Sequence, residues 1–308
     1  MGSVMADQIP QIFTTQFSAN LELLLQQKVS KLRGRVREGM HVGKMASPIQ
    51  QVGALVLQAP AGQYAPLNRQ DANLVRRWVF PQDGEISQLI DTFDQLKTIV
   101  DPKGMLVESA AAAVGRAYDD SIIAACTGTA QLGVDAGGLT SETFNTTNFQ
   151  IASTFGSSSA SGLTVAKLIE VRRIFRHYHV DLETDPITLV IGSQQESDLL
   201  NQVQVVSTEF NERPVLVDGR VTRFLGFDIV TSERLATAAN VRTVLAFARS
   251  GMYLGVWQDI QNRIDVRVDL SSQPYQLYTK ASFGSTRLQQ GKVISILCSD
   301  TSAGDITP

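Results

Sequence analysis

Residues 101–126 read DPKGMLVESAAAAVGRAYDDSIIAAC, and their pattern predicts one long α-helix. Asp101 suits the N-cap, and Pro102 suits the first helical position, where an N–H would have no partner anyway. The step Thr127-Gly128 supplies the stop. Val107, Ala111, Val114, Tyr118, Ile122 and Ala125 recur at three- and four-residue spacing, while Glu108, Arg116, Asp119 and Asp120 fall mostly off that stripe. About 25 residues at ~1.5 Å each make a rod of about 38 Å, longer than an ordinary domain helix. The run of alanines from Ala110 to Ala113 lets another backbone approach it closely. This helix reads as a spine on which other elements are hung.

Composition bounds what can surround it. The chain has 308 residues, 43% hydrophobic and 19% charged, which is enough for one large core or two interleaved ones and too apolar for a disordered chain. Cys126 and Cys298 fit neither a disulfide framework nor metal-ligand spacing, and read as small buried apolar residues. A net charge of -3 gives no global pull toward nucleic acid, so any such contact has to be local. No window reaches the ~18 uncharged apolar residues that span a bilayer, and the N-terminus lacks a secretory pattern. The expectation is a chain with no membrane partner.

Ahead of the spine, Leu21, Leu23, Leu24, Leu25 and Val29 suggest a short amphipathic helix. It runs into KVSKLRGRVREGMHVGK, in which Lys28, Lys31, Arg33, Arg35, Arg37 and Lys44 face one acid, Glu38. Such a segment would sit comfortably beside phosphates or acidic neighbours. Residues 47–82 then turn extended, PIQQVGALVLQAP and ANLVRRWVF around a Gly-, Pro- and Asn-containing connection, and predict a long hairpin. Two such strands cannot bury themselves, so the hairpin is expected to lie on something else, with Arg69, Arg76, Arg77 and Trp78 as contacts to another subunit. Residues 84–100 read as a shorter amphipathic helix leading into the spine.

Beyond the spine, residues 128–162 are rich in Gly, Thr, Ser and Asn and read as irregular. LTVAKLIEVRRIFRHY at 163–178 is a clear helix. It is followed by the strand ITLVIGS, the helix QQESDLLNQV and the strand-like VTRFLGFDIVTS and VRTVLAFARS. From Gly251 onward MYLGVW, RIDVRVDL, YQLYTKASFG and KVISILC read as antiparallel strands with one wet face. The fold class is therefore α+β.

No reactive constellation emerges. His177, His179 and Asp181 are close in sequence, but on a helix the two imidazoles point roughly 200° apart. Asp119 and Asp120 are splayed neighbours rather than an acid/base couple, and one of them is expected to pair with Arg116 one turn away. GVDAGGLT lacks the Gly-Lys-Ser/Thr ending of a phosphate loop, and GSSSASG lacks a nucleophile elbow. No catalytic, cofactor or metal site is expected.

The ordered series RRWVFPQD, IDTFDQLKTIVDP, GRAYDDSIIAACTG, AKLIEVRRIFRHYH with ITLVIGSQQESDLL, and DGRVTRFLGFDIVTSERL resembles the major capsid proteins of tailed bacteriophages, which have the Hong Kong 97 coat-protein fold. The resemblance covers about residues 30–300. It implies an N-terminal arm (1–45), an extended loop (46–82), a peripheral domain holding the spine (83–132 and 255–308) and an axial domain (133–254). It further implies pentamers and hexamers that tile an icosahedral shell around double-stranded DNA, assembled in the host bacterial cytoplasm as a procapsid that then matures. A portal protein and a decoration protein are among the implied partners. No fused scaffold is recognisable at the N-terminus, so a separate scaffolding protein is expected. An encapsulin nanocompartment enclosing a cargo enzyme shares the fold and stands as the alternative.

Overall fold

The computed structural model describes residues 26–59, 62, 69–72, 74–91, 103–133, 138–202, 216–217, 220–271 and 273–300. A 3-10 turn at Arg33–Arg35 precedes β1 (Arg37–Met40), β2 (Ala46–Val52), β3 (Leu74–Val79) and β4 (Gln82–Ile90). The long helix α1 (Lys103–Thr127) leads to β5 (Ala130–Gly133), β6 (Thr140–Glu142), α2 (Thr146–Phe149) and β7 (Gln150–Ile151). Next come α3 (Val165–His177), β8 (Ile187–Ile191), α4 (Ser193–Leu200), β9 (Leu216–Val217), β10 (Arg220–Val221), β11 (Arg223–Phe224) and β12 (Phe227–Thr231). The last strands are β13 (Thr237–Ala238), β14 (Val241–Ala248), β15 (Met252–Val266), β16 (Tyr275–Arg287) and β17 (Val293–Ser299).

These strands make three larger sheets and one two-stranded piece, β9 with β10. One sheet has the order β1-β15-β16-β4, in which β1 runs parallel to β15 and the other neighbours are antiparallel. A second, β2-β3-β5-β6, is antiparallel throughout. The third runs β11-β12-β8-β14-β17-β7 with β13 beside β14, and mixes parallel pairs (β12 with β8, β17 with β7) with antiparallel ones. Every residue of β8 is buried, as expected of a central strand covered on both faces.

α1 packs across β15 and β16. Val114, Tyr118 and Ile122 of the expected stripe are buried, and Tyr118 stacks on Phe283 of β16 with ring centroids 4.2 Å apart. Their core is continuous with that of the seven-stranded sheet, which also takes in Leu168, Val171 and Phe175 from α3 and Leu199 from α4. Thr164 caps α3 by accepting from the Lys167 N–H. At the turn between β11 and β12, Leu225 and Gly226 both take positive φ, 51° and 86°, as a two-residue hairpin joining right-twisted strands requires.

Three readings need correction. The segment read as an amphipathic helix over 84–100 contains β4, which pairs with β16 in nine consecutive positions, and its remainder, 92–100, lies outside the described residues. Ile86, Leu89 and Ile90 mimic helical spacing, but the ladder offered by β16 decides the local conformation. The stretch read as irregular, 128–162, holds β5, β6, α2 and β7, each too short to show a period. MYLGVW and the start of RIDVRVDL form a single strand, β15, whose register against β16 shifts at two bulges between Val256 and Gln261. The amphipathic helix expected near Leu21 and the Asp101-Pro102 helix start fall outside the described residues.

Candidate functional site

The polar side of α1 is not a wet face: it is a cradle for residues 26–32. Asp119, expected off the packing stripe, is 0% exposed. Its carboxylate accepts from the Gln27 side chain at 2.5 Å, Ser30 Oγ at 2.6 Å, Lys31 N at 3.0 Å and Leu32 N at 3.1 Å. A buried carboxylate is tolerable only when donors replace its lost water, and four do so here. One turn earlier sits Gly115, where an added Cβ would lie 3.1 Å from Ser30 N, so the segment approaches at a distance that only glycine leaves comfortable. Arg116 donates to Gln26 Oε1 at 2.8 Å and Gln27 O at 3.1 Å, and Lys28 pairs with Glu108 at 3.0 Å. Asp120 turns the other way and pairs with Arg234. Neither aspartate takes Arg116 as its partner, contrary to the helical-neighbour expectation, because residues arriving from outside the helix offer better donors.

The next residues are fixed as firmly. Arg33 donates to Glu38 at 2.5 Å and to both carboxylate oxygens of Asp259 at 3.1 and 2.9 Å, and its guanidinium lies 4.8 Å from the centroid of the Tyr118 ring. Tyr118 Oη donates to the same Asp259 at 3.0 Å. The hydrogen bond from Arg33 holds the Asp259 carboxyl at about 2, and burial with the nearby Asp259 charge raises the Tyr118 phenol well above its ordinary value. Farther along, Trp257 Nε1 donates to Gly43 O at 2.7 Å and His41 Nε2 lies 2.7 Å from Tyr253 Oη. Burial lowers the His41 pKa.

The six cations expected to meet phosphate or acidic neighbours therefore divide. Lys28, Arg33 and Arg35 are paired within the subunit, the last with Asp228 at 3.1 Å, and Lys31 Nζ donates to Thr231 O at 2.7 Å. Arg37 and Lys44 are exposed, and no described residue pairs with them. Sequence proximity grouped all six, but apart from Glu38 the anions they meet, Glu108, Asp228 and Asp259, come from elements 80 to 226 residues away.

The ribbon of β2 and β3 divides in the same way. Arg77 is buried against Glu142, and Trp78 Nε1 donates to Gly133 O at 3.2 Å, so both tie the ribbon to β5 and β6. Arg69 pairs with Asp71 at 3.1 Å in open solvent, and Arg76 is half-buried with no described partner. Past the last pair, Val52 with Leu74, residues 52–59 are all exposed, Leu57 at 101%. Leu55 and Val56 are similarly bare. Contiguous apolar exposure of this kind marks a contact surface.

Arg287, which sequence reasoning passed over, is fully buried at the C-terminus of α1. It donates to Cys126 O and Gly128 O at 2.8 Å each, and its guanidinium lies 5.2 Å from the Phe144 ring centroid. A cation at the negative end of the helix satisfies carbonyls that the helix leaves open. Burial pushes the Cys126 thiol up to about 12, which leaves it an inert packing group. Among the described residues no three His, Cys, Asp or Glu side chains converge as a metal site, and no helix is long and apolar enough to cross a membrane.

A family model described as phage capsid protein matches residues 9–300. The fold is similar to the capsid of cyanophage P-SCSP1u, with a TM-score of 0.73 at 14% identity over 95% of each chain. It is also similar to the cyanophage Pam1 capsid, with a TM-score of 0.73 at 13% identity over 99% of this chain and 100% of that one. The capsid of Helicobacter pylori bacteriophage KHP30 aligns with a TM-score of 0.69 at 10% identity, covering 97% and 98%. At such identities the structural likeness carries the fold alone. No curated protein matches the chain. A family match spanning nearly the whole sequence, on a fold of this kind, identifies the chain as belonging to the phage capsid protein family: it is a major capsid protein of the Hong Kong 97-like fold, a structural subunit of the icosahedral virion shell and not an enzyme.

Proposed function

We propose that this subunit assembles as pentamers and hexamers into a shell that encloses a double-stranded DNA genome. Assembly takes place in the host bacterial cytoplasm on a separate scaffolding protein, around a portal, and is followed by maturation; a decoration protein is a further partner. The observation that carries this reading is the ribbon, whose bare apolar residues 52–59 are uncovered in the subunit and call for a neighbour. In this reading residues 1–45 form the arm, 46–82 the extended loop, 83–132 with 255–308 the peripheral domain, and 133–254 the axial domain. Arg69 and Arg76 join the ribbon's contact with a neighbouring subunit, while Arg77 and Trp78 set its angle from within. Arg37 and Lys44, whose charges are uncompensated among the described residues, face the genome.

Two experiments test it. Co-expression with the scaffold gene followed by electron microscopy should show closed shells, and a monodisperse monomer under those conditions overturns the reading. Arg37→Gln with Lys44→Gln should leave shell yield intact and reduce the DNA retained per particle. Unchanged DNA content removes these two residues from the genome contact.

A further inference from the structure

One cavity lies outside every contact described so far. It holds about 440 Å³ between α2, β7 and the C-terminal half of α3, and is half-open to solvent. That volume falls within the roughly 300–1,000 Å³ of small-molecule sites. Ile151 and Ile174, which belong to the main core, line its inner side. Two large rings on its wall are left partly bare, Phe155 at 38% and Tyr178 at 40% exposure. Tyr178 is held firmly: its ring centroid is 4.8 Å from that of Phe149, and a Cβ added at Gly291 would come within 3.2 Å of the Tyr178 Cβ.

Polar groups share this wall. The Asn148 N–H is used in capping, where it donates to Asn145 Oδ1 at 3.2 Å, but the Asn148 and Gln150 carboxamides and the Thr147 hydroxyl bond to no described residue. Glu170 and Arg173 supply the wall's one carboxylate and one guanidinium, and they bond to each other at 2.7 and 2.5 Å, so these two charges cancel. Such a lining selects among ligands. A phosphate or carboxylate needs a surplus cation, and the single guanidinium is already matched. A wholly apolar guest would strip water from the carboxamides and the ion pair without replacing its hydrogen bonds. What fits is a neutral guest with an apolar face for the two rings and an edge of groups that both donate and accept. A pyranose has this form: its C–H face lies against aromatic rings, and its neighbouring hydroxyls make two-point contacts with carboxamides and a flat Glu–Arg pair.

We propose that this cavity binds an uncharged pyranose, with Phe155 and Tyr178 against the sugar ring and Asn148, Gln150 and the Glu170–Arg173 pair on its hydroxyls. This gives the subunit a binding activity beyond shell building. It needs only the folded chain, so it stands or falls apart from the assembly reading.

Saturation-transfer NMR on the full-length subunit, with glucose, galactose, mannose and N-acetylglucosamine as probes, tests the proposal. At least one of these sugars should show transfer to its ring protons. The double variant Asn148→Ala with Gln150→Ala removes side-chain groups that bond to no described residue, so it should keep the subunit's Tm and weaken that binding about ten-fold or more. Phe155→Ser, at an exposed position, should weaken it as well. Absence of transfer to all of the probes overturns the proposal. Transfer that the double variant leaves unchanged overturns it too, since the sugar then binds elsewhere. Glucuronate should bind no more tightly than glucose, and tighter binding refutes the assignment to a neutral ligand. Dextran and mannan separate the two sources of such a ring: transfer to a polymer supports a residue within a polysaccharide chain, and transfer to the free sugars alone supports a free monosaccharide.

Discussion

At the scale of single residues, Asp119 shows how charge patterning can mislead. It sits in a helix beside another aspartate and an arginine, which locally describes a solvated face, yet its donors lie 87 to 92 residues upstream and seal it from water. Nothing short-range announced this; Gly115 in mid-helix, where alanine is the default, was the one legible hint of a close approach. Asp119→Ala leaves several of these donors unpaired and should destabilise the subunit by about 2–4 kcal/mol in urea unfolding. Residues 26–32 should become protease-sensitive in the same variant. Asp259 gives a pH prediction of defined sign. Its folded pKa is lowered from 3.8 to about 2 by Arg33, so its contribution is complete above pH 3.8 and is lost as pH falls toward 2. The side chain is 49% exposed, so solvent screening keeps the effect small. Urea midpoints measured between pH 5 and about pH 2 should fall less steeply in Arg33→Gln than in the parent.

Among elements, legibility followed locality. α1 and α3 were readable because their period, and for α3 the Thr164 cap, lie inside or beside the segment, and the buried strands from β8 onward because apolar runs bounded by Gly and Ser are local too. β4 was misread because its few apolar residues fit either period and its partner β16 is almost 200 residues downstream. The hairpin was read correctly as a ribbon that cannot bury itself, but its four named contact residues split between outward and inward roles, which only β5 and β6 determine. The alanine run gives a graded prediction. Ala112 is 1% exposed and Ala113 is half-buried, so Ala112→Leu should cost ~1–3 kcal/mol by overpacking and Ala113→Leu clearly less. Thermal unfolding of the two variants checks the order, and equal losses would remove the assignment of faces.

For the molecule as a whole, the sequence contains no lysine between Lys44 and Lys97, so the extended loop offers no primary amine for an isopeptide cross-link to a neighbour. Its arginines remain protonated near neutral pH and cannot substitute as nucleophiles. Mature particles boiled in detergent should run as one band near 33.5 kDa, and a ladder of covalent oligomers would show that another amine serves. The parallel pairing of β1 with β15 carries a different consequence, one of timing. Arg37 is opposite Tyr253 and Arg33 meets Asp259, so the base of the N-terminal segment cannot be completed until more than 200 further residues have been made. At about 5–20 residues per second the ribosome takes roughly 10–40 s over that interval, during which β1 has no partner strand. Contacts so remote in sequence also fold slowly once available. The nascent chain must therefore be kept from aggregating while its first strand waits for its partner, and added chaperone should raise the soluble yield of this subunit more than a stronger promoter does.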